Sequence, residues 1–375
     1  MIRQAIGTSW PGLSQTSKKV GRLLSTIERA VSNPLTNPVA NTGESFATEA
    51  LPSGSRLPAP PGTDLTRINW PYAGTFLVLH ALALLVFVPW FFSWAGFIAF
   101  FLGVLVFGQL AIPIGYHRLL THKSFRTPKW FERTIATLAM CSGQETPARW
   151  VAWHRIHHQH SDHHEDPHSP LVSFFWSHVN WLVHESNGSG KTFARYEKYA
   201  RDILRDPYYM WLEKIRYASP IFFTAHAILY AAITGIVTVA IYGWGMTALQ
   251  LSASIFLWGV IARTVWVWHI TWAVNSLTHL FGYRNFDTPD GSRNNWFVTL
   301  LTGGEGWHNN HHADQASATV QIRWWEIDLS FYAIKFLERI GLATHIVPPR
   351  HIREAVRQKV SSDTNAPDQP RSMLG

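Results

Sequence analysis

Nine of the 20 histidines in this 375-residue chain fall into a pattern suited to metal binding. They lie in HRLLTH (His117, His122), HRIHH (His154, His157, His158) and HNNHH (His308, His311, His312), with His279 four residues after Asn275. On a helix, positions i, i+3 and i+4 share one face, so each H-x-x-H-H segment can aim its imidazoles at one place. His117 and His122 are five apart, about 140° around a regular helix, so the helix carrying them is expected to end or distort there. Nine imidazoles exceed the roughly six ligands that one octahedral ion accepts, which implies two metal ions. Iron, copper, zinc and nickel all suit imidazole, so the ligand type does not select the metal.

A metal-bound imidazole usually gives its second N–H to a carboxylate or carbonyl. Asp162, Glu165, Asp166, Glu305 and Asp314 lie close enough in sequence to serve. His160, His163, His164 and His168 crowd the second group and are expected outside the ligand set or at the surface. His80 and His226 sit within apolar stretches and are expected to pack there with hydrogen bonds. The Gly303–Gly306 turn lacks any P-loop or dinucleotide context, so it is read as a tight turn.

The rest of the chain must position these groups. Lys and Arg number 32 against 24 Asp and Glu, a net charge of +8, yet charged residues make up 15% and aromatics 14%, with 19 Trp. That profile excludes a disordered chain and argues against an ordinary soluble enzyme. One cysteine, Cys141, excludes an internal disulfide, a thiolate zinc site or a four-cysteine iron–sulfur cluster.

Two stretches, Ile68–His117 and Tyr217–Ala262, contain no Asp, Glu, Lys or Arg. Each is long enough for two membrane helices of about 20 residues. Turn residues with interfacial aromatics break them at Pro89–Gly96 and Tyr242–Gly245. Neither turn carries Lys or Arg, so the positive-inside rule puts both termini and both large polar segments in the cytoplasm. The expected fold class is an all-α integral membrane protein. Four transmembrane helices form two hairpins, about 71–116 and 217–263, under a cytoplasmic helical cap, 117–216 and 264–354, that holds a histidine-ligated dimetal site. Arg263 is expected where the fourth helix leaves the bilayer, and the apolar 171–184 segment along the interface. Residues 1–66 and 355–375 read as loose tails, the first with a weakly basic helical stretch at Lys18–Val31.

The motifs HRLLTH, HRIHHQHSD, EDPHSP, TWAVNSLTHLFGYR and GEGWHNNHH, in that order over roughly residues 70–345, resemble the integral-membrane fatty acid desaturases, in particular the Δ9 acyl-desaturase branch and its bacterial and cyanobacterial members. H-x-x-H-H alone is shared with membrane hydroxylases and monooxygenases; the first box and the Asn-Ser-x-x-His element narrow the resemblance. It implies two non-haem irons held by the nine histidines, with Asn275 approaching one through water. It also implies O2- and electron-dependent insertion of a cis double bond into a saturated acyl chain. Oxidising an unactivated methylene is cofactor chemistry that redox-inert zinc does not supply. Gln144, Trp150, Thr271 and Trp272 match the family's acyl-channel residues. In the family the acyl tail ends against the second membrane helix. Phe101 and Leu105, on one face of it, are the expected tunnel floor, Leu105 about 18 Å of helix from His117, and a 16-carbon chain is the expected preference.

Animal acyl-CoA members carry an Arg-Asp pair that helps hold CoA, where this chain has Ala152-Trp153. The substrate is therefore left open among acyl-CoA, acyl-lipid and acyl-carrier protein. No haem, flavin or iron–sulfur signature accompanies the boxes, so the electrons are expected from a separate ferredoxin or cytochrome b5-like protein, which a basic surface suits. Membrane lipid, and no nucleic acid, is the other expected partner; the expected location is a bacterial inner membrane. The competing enzyme reading is a di-iron acyl hydroxylase. The non-enzyme alternative is a histidine-lined metal transporter, disfavoured because the clusters lie outside the apolar spans.

Overall fold

The computed structural model describes residues 56–186 and 193–364. The stretch at Lys18–Val31 lies outside the described residues. In chain order the elements are a strand β1 (Thr63–Ile68), then helices α1 (Trp70–Phe87) and α2 (Trp94–Thr121). The helices α3 (Lys129–Met140) and α4 (Pro147–His160) follow, then two short helical turns, Trp176–Asn180 and Trp181–Val183, and a strand β2 (His184–Ser186). Next come α5 (Phe193–Leu204), α6 (Pro207–Lys214), α7 (Ala218–Tyr242) and α8 (Met246–Leu280). The chain continues through α9 (Trp296–Thr302), α10 (His308–Ala313), α11 (Leu329–Arg339) and α12 (Arg350–Thr364).

Helices α1, α2, α7 and α8 are long and apolar enough to cross a membrane. Helix α8 packs on the other three. Its apolar stretch is correspondingly well buried, whereas those of α1 and α7 face outward almost throughout. Small residues permit the close approach of α2 to α8. A Cβ at Gly108 would lie 2.9 Å from the Val267 side chain, and one at Gly103 would lie 2.8 Å from that of Arg263.

Both α2, with 28 residues, and α8, with 35, outrun the roughly 20 residues that span a bilayer. Their final turns carry His117 and His279. Arg263 lies within α8, which continues to Leu280. Its side chain is fully buried between helices, the guanidinium 3.9 Å above the Phe107 ring and Nε donating to Gly259 O at 3.1 Å.

The distortion expected near His117 is present. Pro113 cannot donate to the ladder of α2, and the helix takes the wider i→i−5 register. The His122 N–H reaches the His117 carbonyl at 3.1 Å. In that register a five-residue step is close to a full turn, so both imidazoles face the same way.

Three expectations need correction. The fold is not wholly helical, because β1 pairs antiparallel with β2, Thr63 opposite Ser186. TDLTRI carries β-branched residues in extended chain, and Arg67 meets Glu185 across the ribbon at 3.2 Å. A tail ending at residue 66 would cut through this strand. At the other end, residues 355–364 belong to α12. Its Ile352, Val356 and Val360 repeat at i, i+4, and its first backbone N–H groups are tied down by Arg350 N donating to Asp314 at 2.7 Å.

The 171–184 segment is too short to span and turns only partly inward: Trp176 and Trp181 are buried, while Phe175 is exposed. His80 packs with hydrogen bonds as expected, to Phe76 O at 2.7 Å and His269 at 3.0 Å. His226 packs on the Phe107 ring, but its buried Nδ1 has no partner.

Candidate metal centre

The structure brings all nine histidines together, in two groups. The ring nitrogens of His117, His122, His154, His158 and His311 lie within 4.8 Å of one another, as do those of His157, His279, His308 and His312. Each H-x-x-H-H segment is divided between the groups. On α4 the i, i+4 pair His154/His158 enters the five-histidine group and His157 the other. On α10 the i, i+4 pair His308/His312 enters the four-histidine group and His311 the other. Neither helix serves one position alone, so the positions must be neighbours.

The Nε2 atoms point inward. His117 and His311 approach to 3.0 Å, His311 and His158 to 2.9 Å, His158 and His154 to 2.9 Å, and His308 and His279 to 3.1 Å. Buried Nε2 atoms of His122, His157 and His312 have no hydrogen-bond partner. Four imidazoles present Nδ1 to a carboxylate: His117 to Glu305 at 2.5 Å, His157 to Asp166 at 3.0 Å, His279 to Asp162 at 2.9 Å and His312 to Asp290 at 2.6 Å. That contact fixes the tautomer and leaves Nε2 as the lone-pair donor.

Burial and neighbouring imidazoles hold His122, His154, His157, His158, His308 and His311 well below the ordinary histidine range. They are therefore neutral, the form a metal requires. Burial pushes the Glu305 carboxyl up, but His117 and Arg118 bring it down to about 2. Asp162, similarly opposed by burial, is brought to about 2 by His279 and the Gly291 N–H. Converging neutral imidazoles with orphaned Nε2 atoms fit a pair of transition-metal ions.

Of the carboxylates expected behind the ligands, Asp162, Asp166 and Glu305 are in place. Asp314 is used instead to hold the start of α12, through Arg350 and Arg353. Glu165 is exposed. Sequence reasoning missed Asp290, which lies in the irregular segment between α8 and α9. His168, expected outside the ligand set or at the surface, is buried behind it, with its ring 4.5 Å from that of His157, and converges on Asp166. His163 and His164 are exposed as expected, and His160 is half-buried.

Beside the five-histidine group lies a cavity lined by Gln144, Trp150, His154, Thr271, Trp272 and Asn275. All four expected channel residues are thus at one place. Trp150 stacks on His154 with centroids 5.0 Å apart. Asn275 lines the cavity next to these residues. Phe76 and Trp268, not singled out by sequence, complete the aromatic wall: Phe76 meets the rings of Trp268 and Trp272 edge-on at 4.9 and 5.2 Å. Phe101 and Leu105 are not there. Both share a face as expected, but that face is the outer one, with 55% and 41% of each residue exposed. A second opening is lined by Thr121, His122, Arg155, His158 and Gln159.

Comparison with known proteins agrees with this geometry. The family model described as fatty acid desaturase matches residues 90–335. An sn-1 stearoyl-lipid 9-desaturase of Anabaena variabilis is 41% identical over 280 residues, 75% of this chain and 94% of that protein. An sn-2 palmitoyl-lipid 9-desaturase of Nostoc sp. (strain 36) is 40% identical over 300 residues, 78% of this chain and 95% of that one. An acyl-CoA 5-desaturase, AL21, of Anemone leveillei is 40% identical over 276 residues, 74% and 78% of the two chains.

Proposed function

From the premise that the chain belongs to the fatty acid desaturase family and is a fatty acyl desaturase, we propose that it places a cis Δ9 double bond in a saturated acyl chain of a membrane glycerolipid. The ligands for two irons are the nine histidines, with Asn275 reaching one of them through water. Bound there, the irons supply the O2-dependent oxidation of an unactivated methylene, which consumes two electrons.

The observation that carries this reading is the pair of converging imidazole groups, with unpartnered Nε2 atoms, beside the aromatic cavity. The chain's own residues do the positioning. Carboxylates orient His117, His157, His279 and His312. Trp150, Trp272, Phe76 and Trp268 offer the acyl tail an apolar wall and keep water from it. Gln144 and Thr271, hydrogen-bonded to each other, fix the wall's shape.

A lipid-borne substrate is favoured by two observations. Trp153, at the place of the family's CoA-holding acid, is buried edge-on against Trp181 at 5.1 Å and offers no charge to a nucleotide. The two cyanobacterial relatives act, by name, on stearoyl-lipid and palmitoyl-lipid. Electrons come from a separate ferredoxin or cytochrome b5-like protein, and the opening lined by half-buried His122 and His158 is a place where such a donor can approach the ligands. The helices form two hairpins in a bacterial inner membrane with the centre and both termini cytoplasmic, because the exposed Gly243–Gly245 turn carries no Lys or Arg.

The test is expression in a desaturase-deficient host, followed by mass spectrometry of each lipid class with double-bond localisation. Monoenes with the bond at carbon 9 in glycerolipids, two hydrogens lighter than their precursors, are expected. A product heavier by one oxygen would establish the hydroxylase instead, and monoenes confined to acyl-CoA would overturn the lipid assignment.

A further inference from the structure

The two histidine groups differ in what stands behind them. Three of the four imidazoles in the smaller group, His157, His279 and His312, hand Nδ1 to Asp166, Asp162 and Asp290. These carboxylates are otherwise held by neutral donors. Asp162 accepts from Gly291 N at 2.7 Å, Asp166 from Asp162 N at 3.0 Å, and Asp290 from Ser292 N at 3.0 Å. Among the described residues, none of the three is paired with a Lys or Arg. In the five-histidine group His117 alone has a carboxylate, and there Glu305 is paired with a cation, Arg118 at 2.8 Å, which it shares with Asp328 at 2.9 Å.

We propose that the two iron positions are electronically unequal: Asp162, Asp166 and Asp290 make the four-histidine position the one that holds the higher metal charge, so the five-histidine iron is reduced first. This rests on the reading of the nine histidines as ligands of two irons. Three buried negative charges without a cation are balanced only by the ion at their centre, and in a low-dielectric interior that balance favours the ferric over the ferrous ion. Each carboxylate also raises the basicity of the imidazole it holds, strengthening donation to the metal. The fifth imidazole of the other position is a neutral ligand and supplies no such charge. Access runs the same way. All four imidazoles of the carboxylate-backed group are buried, whereas His122 and His158 line the opening to the surface. The position that is easier to reduce is thus also the one an external donor can approach. Asp162, Asp166 and Asp290 act through histidines and are positioning residues.

The experiment uses full-length holoenzyme loaded with 57Fe and reduced stepwise with sub-stoichiometric dithionite, one electron per ferric ion, while Mössbauer spectra are taken. Two components of equal area are expected, one becoming ferrous before the other. Asp290→Asn should bring the late component forward, while Glu305→Gln leaves the late component unmoved. Chelator competition gives a second readout: Asp290→Asn should weaken the tighter-held iron 10- to 100-fold and spare the other. Asp162→Asn substitutes if the first variant does not fold. Iron-loaded wild type whose components are reduced together, or a shift of the same component by Asp290→Asn and Glu305→Gln, would overturn the inequality. Folded, active protein containing no iron would instead overturn the iron reading itself.

Discussion

Gln144 Nε2 donates to the Thr271 hydroxyl at 3.0 Å, joining the turn after α3 to helix α8 across one side of the acyl cavity. The Thr271 hydroxyl spends its own hydrogen on the Val267 carbonyl, 2.9 Å away, so its lone pair is what Gln144 needs. The two cavity walls are therefore coupled through a single acceptor atom.

Thr271→Val removes that acceptor and leaves a half-buried amide without its partner. A net hydrogen bond contributes about 1 kcal/mol, so kcat/KM should fall roughly fivefold. The double variant with Gln144→Leu should lose no more than the worse single variant, because both remove the same bond. Desaturation rates in membranes check this. Fully additive losses would show that the residues act separately.

His157 and His311 belong to different groups, and each is an i+3 member of its segment. Replacing either with Ala should lower activity at least 100-fold and remove about one of two bound metal ions, while the protein still inserts into membranes. Both lie beyond the apolar spans, so insertion does not depend on them. Metal analysis of purified variants and product assays decide the matter; full activity in either variant would remove that histidine from the ligand set.

The convergence of the nine histidines was legible because helical spacing survives in sequence. Three of their four carboxylates were reachable as well, being close to a box along the chain. Asp290 was not: it lies 22 residues before His312, and only the irregular chain between α8 and α9 brings them together. Proximity misled for Glu165 and Asp314, which share the same short separations and go elsewhere. The division of each box between two metal positions was also hidden, since a shared helical face does not say how far apart two targets on that face are. The four apolar helices were legible from charge-free runs. The depth of Phe101 and Leu105 was not, because periodicity identifies a face but not its neighbour.

The exposure of Phe101 and Leu105 changes the chain-length prediction. Phe101→Ala and Leu105→Ala should leave the product profile as it is. Phe76 lines the cavity edge-on to Trp268 and Trp272, so Phe76→Ala should admit a broader range of chain lengths. Gas chromatography of products from cells fed saturated acids of different length checks all three variants. A shift in the Leu105→Ala profile alone would restore the second helix as the floor.

Orientation is testable without activity. Epitope tags at either terminus should resist external protease in intact cells, and a tag inserted at Gly243–Gly245 should be cut. The reverse pattern would place the metal centre on the side away from cytoplasmic reductants.

Asp202 anchors α5 to the histidine-bearing helices. Its oxygens accept from Arg155 at 2.6 and 3.2 Å and pair with Lys123. Arg155 in turn donates to the carbonyls of Leu120 and Thr121 at the end of α2, at 3.0 and 2.9 Å, so the ion pair sits one link from His122 without touching a ligand. Burial raises the Asp202 carboxyl, but the hydrogen bonds and charge of Arg155, with Lys123, bring it down to about 2. A carboxyl depressed in the folded state contributes stability that is complete above its unfolded value of 3.8 and is lost as pH falls through about 2. The shift corresponds to about 2 kcal/mol. Asp202→Asn should therefore melt lower than wild type at pH 6, and the gap should narrow steadily from pH 4 towards pH 2. Metal loss in acid affects both proteins, so the difference between their melting curves in detergent is the quantity to follow. A gap that stays constant from pH 6 to pH 2 would assign the stabilisation to packing and not to the ionised carboxylate.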